Sequence, residues 1–358
     1  MSSLSENFAV PVPAPHTVTG NSTGRIMGTV MLALAPATLY GFWLYGWPAI
    51  YLWLVTIGFS LLGEAFILRL QDKPAAPVLL DGSAVLTGWL LAASLPPWAP
   101  WWIGAFGGLF ATTLGKQAFG GIGQNLFNPA MVARVALLIS FPVQMTAWVG
   151  PAPLFAAGSP GPIEGLHILL RGITPAFDTL TSATTLGFGK TELSRGVDLL
   201  QSAAHTPALS WIGSRSGSLG ETAAWLIAAG GVAMIFLRII SWHIPVAMLL
   251  GIAIPAAILH QVDPAHYLDA TTHLLSGGAM LGAFFIATDY VTSPNAPLGK
   301  LVFGLGCGLF TFIIRSWAGY PEGVAFAVML MSSLTPIIDT YCKPRVYGRD
   351  RRGVPLRL

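Results

Sequence analysis

The stretch FDTLTSATTLGFGKTEL, residues 177–193, is rich in hydroxyls within a chain that is otherwise mostly apolar. Asp178, Thr181, Ser182, Ala183 and Thr184 follow one another as a carboxylate, two hydroxyls, a methyl and a third hydroxyl. The chemistry open to such a group is acceptance of a phosphoryl group. An alcohol oxygen must attack phosphorus, so the acceptor is a Ser or a Thr. Thr184 is the favoured acceptor and Thr185 the competing one. Ser182 and Ala183 are small, which leaves room for a modifying enzyme and for a bulky group. Asp178 can align a metal or the acceptor during phosphoryl transfer. Gly187 and Gly189 permit close backbone approach, and Lys190 can screen the charge of a phosphodiester. The same residue types also build ordinary solvated Ser/Thr turns.

A second reading of this stretch fails. GFGKT (187–191) looks like the end of a phosphate-binding loop, but that loop needs Gly where Thr184 stands. Elsewhere, GKQAFGGIGQNLFNPAMVARV (115–135) joins two apolar segments. Gly120, Gly121 and Gly123 allow unusual backbone geometry there, and Asn128 precedes Pro129 as an N-cap precedes a helix start. That is the pattern of a capped re-entrant turn. It also fits a flavin or quinone pocket around Gly121, in which Asn125 and Asn128 offer donors to ring carbonyls. Glu64, Arg134, Arg238, Asp289, Arg315, Glu322 and Asp339 fall in or at the ends of apolar segments. Intramembrane charges are functional candidates by default, although most of these are expected near helix ends, where snorkelling is cheap. Asp289 stands out as a pore, ion or structural-pairing residue, and Glu322 joins it as an ion-pathway candidate. The His residues show no i,i+4 metal spacing, and no nucleophilic triad can be argued. Two isolated Cys cannot make a four-ligand metal site. Neither catalytic nor metal-ligating residues are therefore expected.

The elements that must position these groups are membrane helices. The chain has 358 residues, 54% hydrophobic and only 9% charged. A soluble domain carries about 25% charged residues, so the solvent must be lipid. The 12 Trp and 41 Gly suit interface anchors and close helix packing. The formal charge of +3 reflects topology rather than nucleic-acid binding, because no basic stripe with interleaved aromatics appears. Residues 1–25 lack the apolar region of a signal peptide. Apolar runs predict ten spans, at 26–45, 48–68, 80–95, 99–115, 129–148, 222–240, 243–260, 273–290, 298–314 and 322–340. The short third run leaves nine as the alternative.

The bias of Lys and Arg puts both termini in the cytoplasm, with Lys116 among the inside charges. It puts the 149–221 loop outside, in the periplasm of a Gram-negative cell. LLDGSAVL (79–86) pairs with LLSGGAML (274–281), and GGLF (107–110) with CGLF (307–310). Each copy carries a G-x-x-x-G pair, Gly104/Gly108 and Gly304/Gly308. Five spans per half invert the second half relative to the first. The expected architecture is therefore all-α, in two inverted five-helix repeats. A cytoplasmic segment (1–25) precedes the first repeat (26–148). The periplasmic loop (149–221), the second repeat (222–340) and a basic cytoplasmic tail (341–358) follow.

The motif D-x-x-[ST]-[GS]-A-T at 178–184 resembles the flavinylation motif of membrane redox complexes. With FGGIGQNLFNPA, YPEGVAFAVMLMSSLTPIID (320–339) and KPRVYG (343–348), the chain from about 20 to 350 resembles the D subunits of Rnf ion-translocating electron-transport complexes. That resemblance implies a urea-transporter-like fold in a bacterial inner membrane. It implies FMN joined by a flavin transferase through its phosphate to Thr184, and a non-covalent riboflavin near the inner side. It also implies partner subunits of the A, B, C, E and G types, passing electrons between ferredoxin and NAD while Na+ or H+ crosses. Such a protein is part of a translocase and has no complete active site alone. The nearer alternative is the quinone-reducing B subunit of the sodium-pumping NADH:quinone reductase, which usually has a longer N-terminal extension. A urea-type solute channel is the alternative from another class.

Overall fold

The computed structural model describes residues 22–156, 158–172, 184–196, 198–199, 216–320 and 322–343. Asp178, Thr181, Ser182 and Ala183 lie outside the described residues, as does most of the basic tail. Among the described residues the secondary structure is helical and no β-strand forms.

The first half holds α1 (Thr23–Tyr45), α2 (Trp47–Leu70), α3 (Ala75–Leu79), α4 (Ser83–Ser94), α5 (Trp101–Thr113), α6 (Pro129–Ser140) and α7 (Pro142–Thr146). The sequence places their ends. Ser22 caps α1 by accepting from the Arg25 N–H at 3.2 Å, and Gly46 at φ 72° turns the chain directly into α2. Asn128 caps α6 by accepting from the Ala130 N–H at 3.1 Å, with Pro129 at the first helical position, as the sequence predicts. Gly120, Gly121 and Gly123 all have positive φ, so the loop before α6 takes a path that other residues would resist.

Two further helices, α8 (Pro162–Arg171) and α9 (Thr185–Ser194), lie in the segment read from sequence as a plain loop. In α8, Pro162 starts the helix and Glu164 accepts from the Gly161 N–H at 2.8 Å. The second half holds α10 (Ala224–Phe236), α11 (His243–Val262), α12 (Ala270–Leu275), α13 (Ala279–Leu281), α14 (Pro297–Trp317) and α15 (Val324–Tyr341).

Five of these helices, α1, α2, α11, α14 and α15, are long and apolar enough to cross a membrane, and α4, α6 and α10 are shorter apolar helices. Large apolar side chains point outward from them, such as Leu32 at 74% exposed and Phe236 at 82%. Outward apolar surface is what a lipid-solvated helix requires. Buried hydroxyls inside the bundle bond to carbonyls of their own helix, as Thr56 does to Leu52 O and Thr311 to Cys307 O. Two predicted spans differ from the observed elements. The run 129–148 stops as a helix at Ser140, because Pro142 cannot continue it and opens α7 instead. The run 273–290 is not one helix: Gly277 at φ 66° separates α12 from α13, which continues as a π-turn over Gly282–Ile286.

The glycine pairs read from sequence floor two helix contacts. Gly104 and Gly108 of α5 lie against Leu52, Thr56 and Ser60 of α2, and Gly304 and Gly308 of α14 lie against Ile244, Met248 and Gly251 of α11. A Cβ on Gly308 would collide with the Met248 carbonyl oxygen, a backbone atom that cannot step aside. The halves meet along a seam where Gly230 of α10 sits on the Ala33 backbone of α1, and the Gly220 N–H donates to Ala93 O at 2.7 Å. Gly308→Leu is expected to destabilise by about 1–3 kcal/mol through overpacking. Gly58→Leu, on a face of α2 with open space, is expected to stay within about 0.5 kcal/mol of wild type. Thermal melting in detergent compares them, and equal shifts would contradict the packing argument.

Candidate functional site

A cavity of about 250 Å³ opens between the halves. Its walls come from the start of α1 (Thr23 to Val30), the start of α4 (Ser83 to Leu90), the glycine-rich loop, and residues 284–291 in and after the π-turn. Most of the lining is apolar, including Met27, Phe284 and Phe285, while Ser83, Thr87, Lys116, Asn125, Asn128, Asp289 and Tyr290 supply polar atoms. An apolar cleft with a few convergent polar groups is the usual form of a small-molecule site. Asn125 donates its amide N–H to Phe127 O at 3.0 Å, and Asn128 uses its amide oxygen to cap α6. Asp289 caps its own turn, accepting from the Val291 N–H and the Thr292 hydroxyl, each at 3.3 Å.

Lys116 stands at the edge of this cavity and is only 2% exposed. Its ammonium lies 2.5 Å from Glu64 Oε1 and donates to Ser83 Oγ at 2.5 Å. Gln117 donates to the same Glu64 oxygen at 2.6 Å, and Ser83 in turn donates to Asp81. Glu64 is fully buried. A lone ion at this depth is prohibitively costly, so each partner needs the other in place.

A second polar cluster lies at the far end of α1. Thr23 lines the cavity, whereas Tyr45 lies beside Glu221. From Val30 to Tyr45 at 1.5 Å per residue the two sites are roughly 20 Å apart. Arg134 of α6 donates to Ser94 O and lies 2.5 Å from Glu322 Oε2. The Gly278 N–H donates to Glu322 Oε1. Arg315 of α14 donates to His273 O at 2.6 Å and to Ser276 O at 3.1 Å, with Glu322 3.8 Å away. The expectation that these charges snorkel out to the interface is therefore wrong for Glu64, Arg134 and Arg315, all buried among partners inside the bundle.

Thr184 is the N-cap of α9, accepting from the Gly187 N–H at 3.1 Å, and is 8% exposed. Thr185 follows it as the first helical residue. Lys190 corrects its sequence reading. Its ammonium donates to Ala318 O at 2.5 Å, Tyr320 O at 2.6 Å and Ile314 O at 3.4 Å. All three N–H bonds are thus committed to the end of α14, and none is left for a phosphodiester. Burial and the Arg315 guanidinium hold the Lys190 pKa below the ordinary lysine range.

The structure thus brings Asn125, Asn128 and Asp289 to one cavity and sets Glu322 and Thr184 elsewhere. Gly121 shapes the loop without lining the cavity. Asp339 accepts from the Asn295 N–H at 3.2 Å and ties a loop to α15. Sequence reasoning missed two residues. Lys116 is counted there as an inside topology charge, though a lone Glu64 within an apolar run already demands a cation. Glu221 borders the long loop and draws no notice.

The fold and sites define a multi-pass helical membrane protein with a ligand-sized cavity and a separate buried charge network. Comparison with known proteins makes this specific: residues 11–348 match the model of the NQR2, RnfD, RnfE family, and the chain belongs to that family. It is 51% identical over 347 residues to the D-type subunit of the ion-translocating oxidoreductase complex of Halorhodospira halophila, covering 96% of this chain and 97% of that one. The corresponding D-type protein of Stutzerimonas stutzeri is 53% identical over 338 residues, covering 94% and 95% of the two chains. That of Escherichia fergusonii is 41% identical over 350 residues, covering 95% and 98%. Lys116→Met is expected to destabilise by about 3–5 kcal/mol, because it strands Glu64. Lys116→Met combined with Glu64→Leu is expected to recover most of that loss. Melting temperatures of the three proteins in detergent check this, and a double variant as unstable as the single one would count against the pair.

Proposed function

We propose that this chain is the D-type membrane component of an ion-translocating oxidoreductase complex, holding flavin for electrons that enter and leave through partner subunits. The observation that carries the reading is the match to D-type proteins of such complexes over nearly the whole chain, at 51% and 53% identity. In this reading the partners are the A, B, C, E and G types, and a flavin transferase matures the protein. The membrane is a bacterial inner membrane, with both termini cytoplasmic and α8 and α9 periplasmic. Ten passes form two inverted five-helix repeats on a urea-transporter-like plan. The like packing of α5 on α2 and of α14 on α11 supports it, although only five helices are long enough to cross alone.

Flavin supplies the electron chemistry, and the chain's residues bind, orient and shield it. Thr184 is the residue that would hold FMN. Its oxygen lies at the N-terminus of α9, where the helix dipole favours an anionic phosphodiester. Its burial means that modification precedes the docking of α9 onto the bundle. Asn125 and Asn128 would orient the non-covalent riboflavin in the cavity, with Met27, Phe284 and Phe285 excluding water from it. Asp289 and Glu322 are the candidates for the path of Na+ or H+.

The test is a denaturing gel viewed under ultraviolet light after co-expression with the transferase. Wild type and Thr185→Val are expected to fluoresce, and Thr184→Val to be dark. Darkness in wild type from cells making the whole complex would overturn the covalent reading. Asn125→Leu is expected to lose acid-extractable flavin at least about tenfold, since it removes a buried polar partner, while the band on the gel stays bright.

A further inference from the structure

The charge network beyond Tyr45 contains a contact that carries a requirement of its own. The side chains of Glu221 and Glu322 are within hydrogen-bonding reach of each other and line the same small void. Two bare carboxylates repel at such a distance, and the contact is stable only with a hydrogen between the oxygens. Glu322 is the ionised member, because the Arg134 guanidinium and the Gly278 N–H both donate to it and Arg315 stands 3.8 Å away. Glu221 sits in the turn before α10, and Ser218 and Tyr45 are its other polar neighbours. Among the described residues His273, with Asp269 acting on it, and Lys190 are the further titratable groups on this side, and both His273 and Lys190 face Arg315. A void of about 10 Å³ touches Ser94, Arg134, Ser218, Glu221 and Glu322, about the space of one water. Ser276 Oγ and Arg315 Nε, both more than nine-tenths buried, have no hydrogen-bond partner among the described residues.

We propose that Glu221 and Glu322 hold one proton between them and form a proton-binding site at the seam of the two halves, on the end of α1 remote from the cavity. In the loaded state the Glu221 O–H donates to a Glu322 carboxylate oxygen. On release the O–H bond breaks, the proton leaves to water through the adjoining void, and two carboxylates remain facing Arg134 and Arg315. A metal cation is a poor alternative occupant, because two guanidinium groups already occupy the cationic positions. The site follows from charge and contact alone and does not depend on flavin at Thr184.

Burial, then the Glu322 charge, push the Glu221 pKa up to about 8 from 4.5, against the opposing pull of Arg134. The unfolded chain loses this proton near 4.5 and the folded chain near 8. The folded state therefore binds more protons between those values, and stability falls as pH rises through that window.

The experiment is infrared titration of the full-length chain, with carbon-13 in its glutamate carboxyls, in detergent and again within the assembled complex. Wild type is expected to show a protonated glutamic acid band at about pH 6.5 that disappears in one step near pH 8. Glu221→Gln should lack the band and should lose the fall in melting temperature between about pH 6 and pH 9. Glu322→Gln should move the step to lower pH, since both arginines then act on Glu221. No protonated band in wild type, or a band indifferent to Glu221→Gln, would overturn the proposal. So would displacement of the proton when sodium replaces choline at constant pH. The wild-type titration and the sodium exchange need no variant, and both can be run on chain made without the transferase.

Discussion

Backbone contact between glycine-floored helices sets the positions of everything else. Gly104 and Gly108 let α5 lie against the backbone of α2, and Gly304 and Gly308 do the same for α14 on α11. Side chains larger than hydrogen at these positions would push the axes apart. About two turns beyond each pair the same helix or its end delivers a cation into the interior, Lys116 in the first half and Arg315 in the second. Each cation reaches the start of the broken element that precedes its helix. Lys116 meets Ser83 of α4, and Arg315 meets Ser276 beside Gly277. The spacing between glycine floor and cation thus decides where polar chemistry can exist in an apolar bundle.

What each half builds on this plan differs, and electrostatics explains the difference. Lys116 is answered at once by Glu64, so the first site is locally neutral and can border an open apolar cavity. Arg315 has no carboxylate so close. It directs its N–H groups to the carbonyls of His273 and Ser276 and shares Glu322 with Arg134. Two guanidiniums converge there on one ionised carboxylate, Glu322, and Glu221 sits beside it as the protonated member of the proposed pair. The space at that end is therefore filled by ions and hydrogen bonds, leaving a void the size of a water. One end of α1 thus borders an open, mostly apolar cavity and the other a packed network of charges.

The parts of this arrangement legible in the sequence are those governed by local rules. Asn128–Pro129 announces the start of α6, and the glycines before it announce positive φ, because capping and backbone sterics act within a few residues. The glycine pairs are legible as close contacts for the same reason. Long-range pairing is not. Nothing local ties Lys116 to Glu64 or Arg134 to Glu322, partners separated by 52 and 188 positions. Charge counting assigns Lys116 to the membrane surface on its position in the chain, whereas the loop folds back and buries it. Lys190 misleads in a similar way. Beside Gly187 and Gly189 it looks like an anion partner, but the frayed carbonyls at the end of α14 are distant in sequence and close in space. The break at Gly277 is hidden because the apolar run continues through it, and composition cannot distinguish a straight helix from two short ones joined by a left-handed glycine.

Lys190 also determines how α9 relates to the membrane domain. A helix outside the bundle, carrying few apolar residues, would ordinarily be free to swing. Here its lysine donates to three carbonyls in and just beyond the last turn of α14. Leu186 packs over Gly277 next to Arg315, and Leu186, Leu199 and Leu268 close a small apolar cluster beneath it. The N-cap at Thr184 is consequently held at a fixed place on the bundle. Under the flavin reading, that fixity is the purpose of the contacts. An electron relay needs a constant distance to its partners, and a prosthetic group hung from an undocked loop would not have one. The same contacts bring α9 against the helix end that supplies Arg315 to the Glu221–Glu322 pair. A change of charge at the N-terminus of α9 would then be felt at the proton site through fixed dipoles and a buried guanidinium, with little intervening water to screen it.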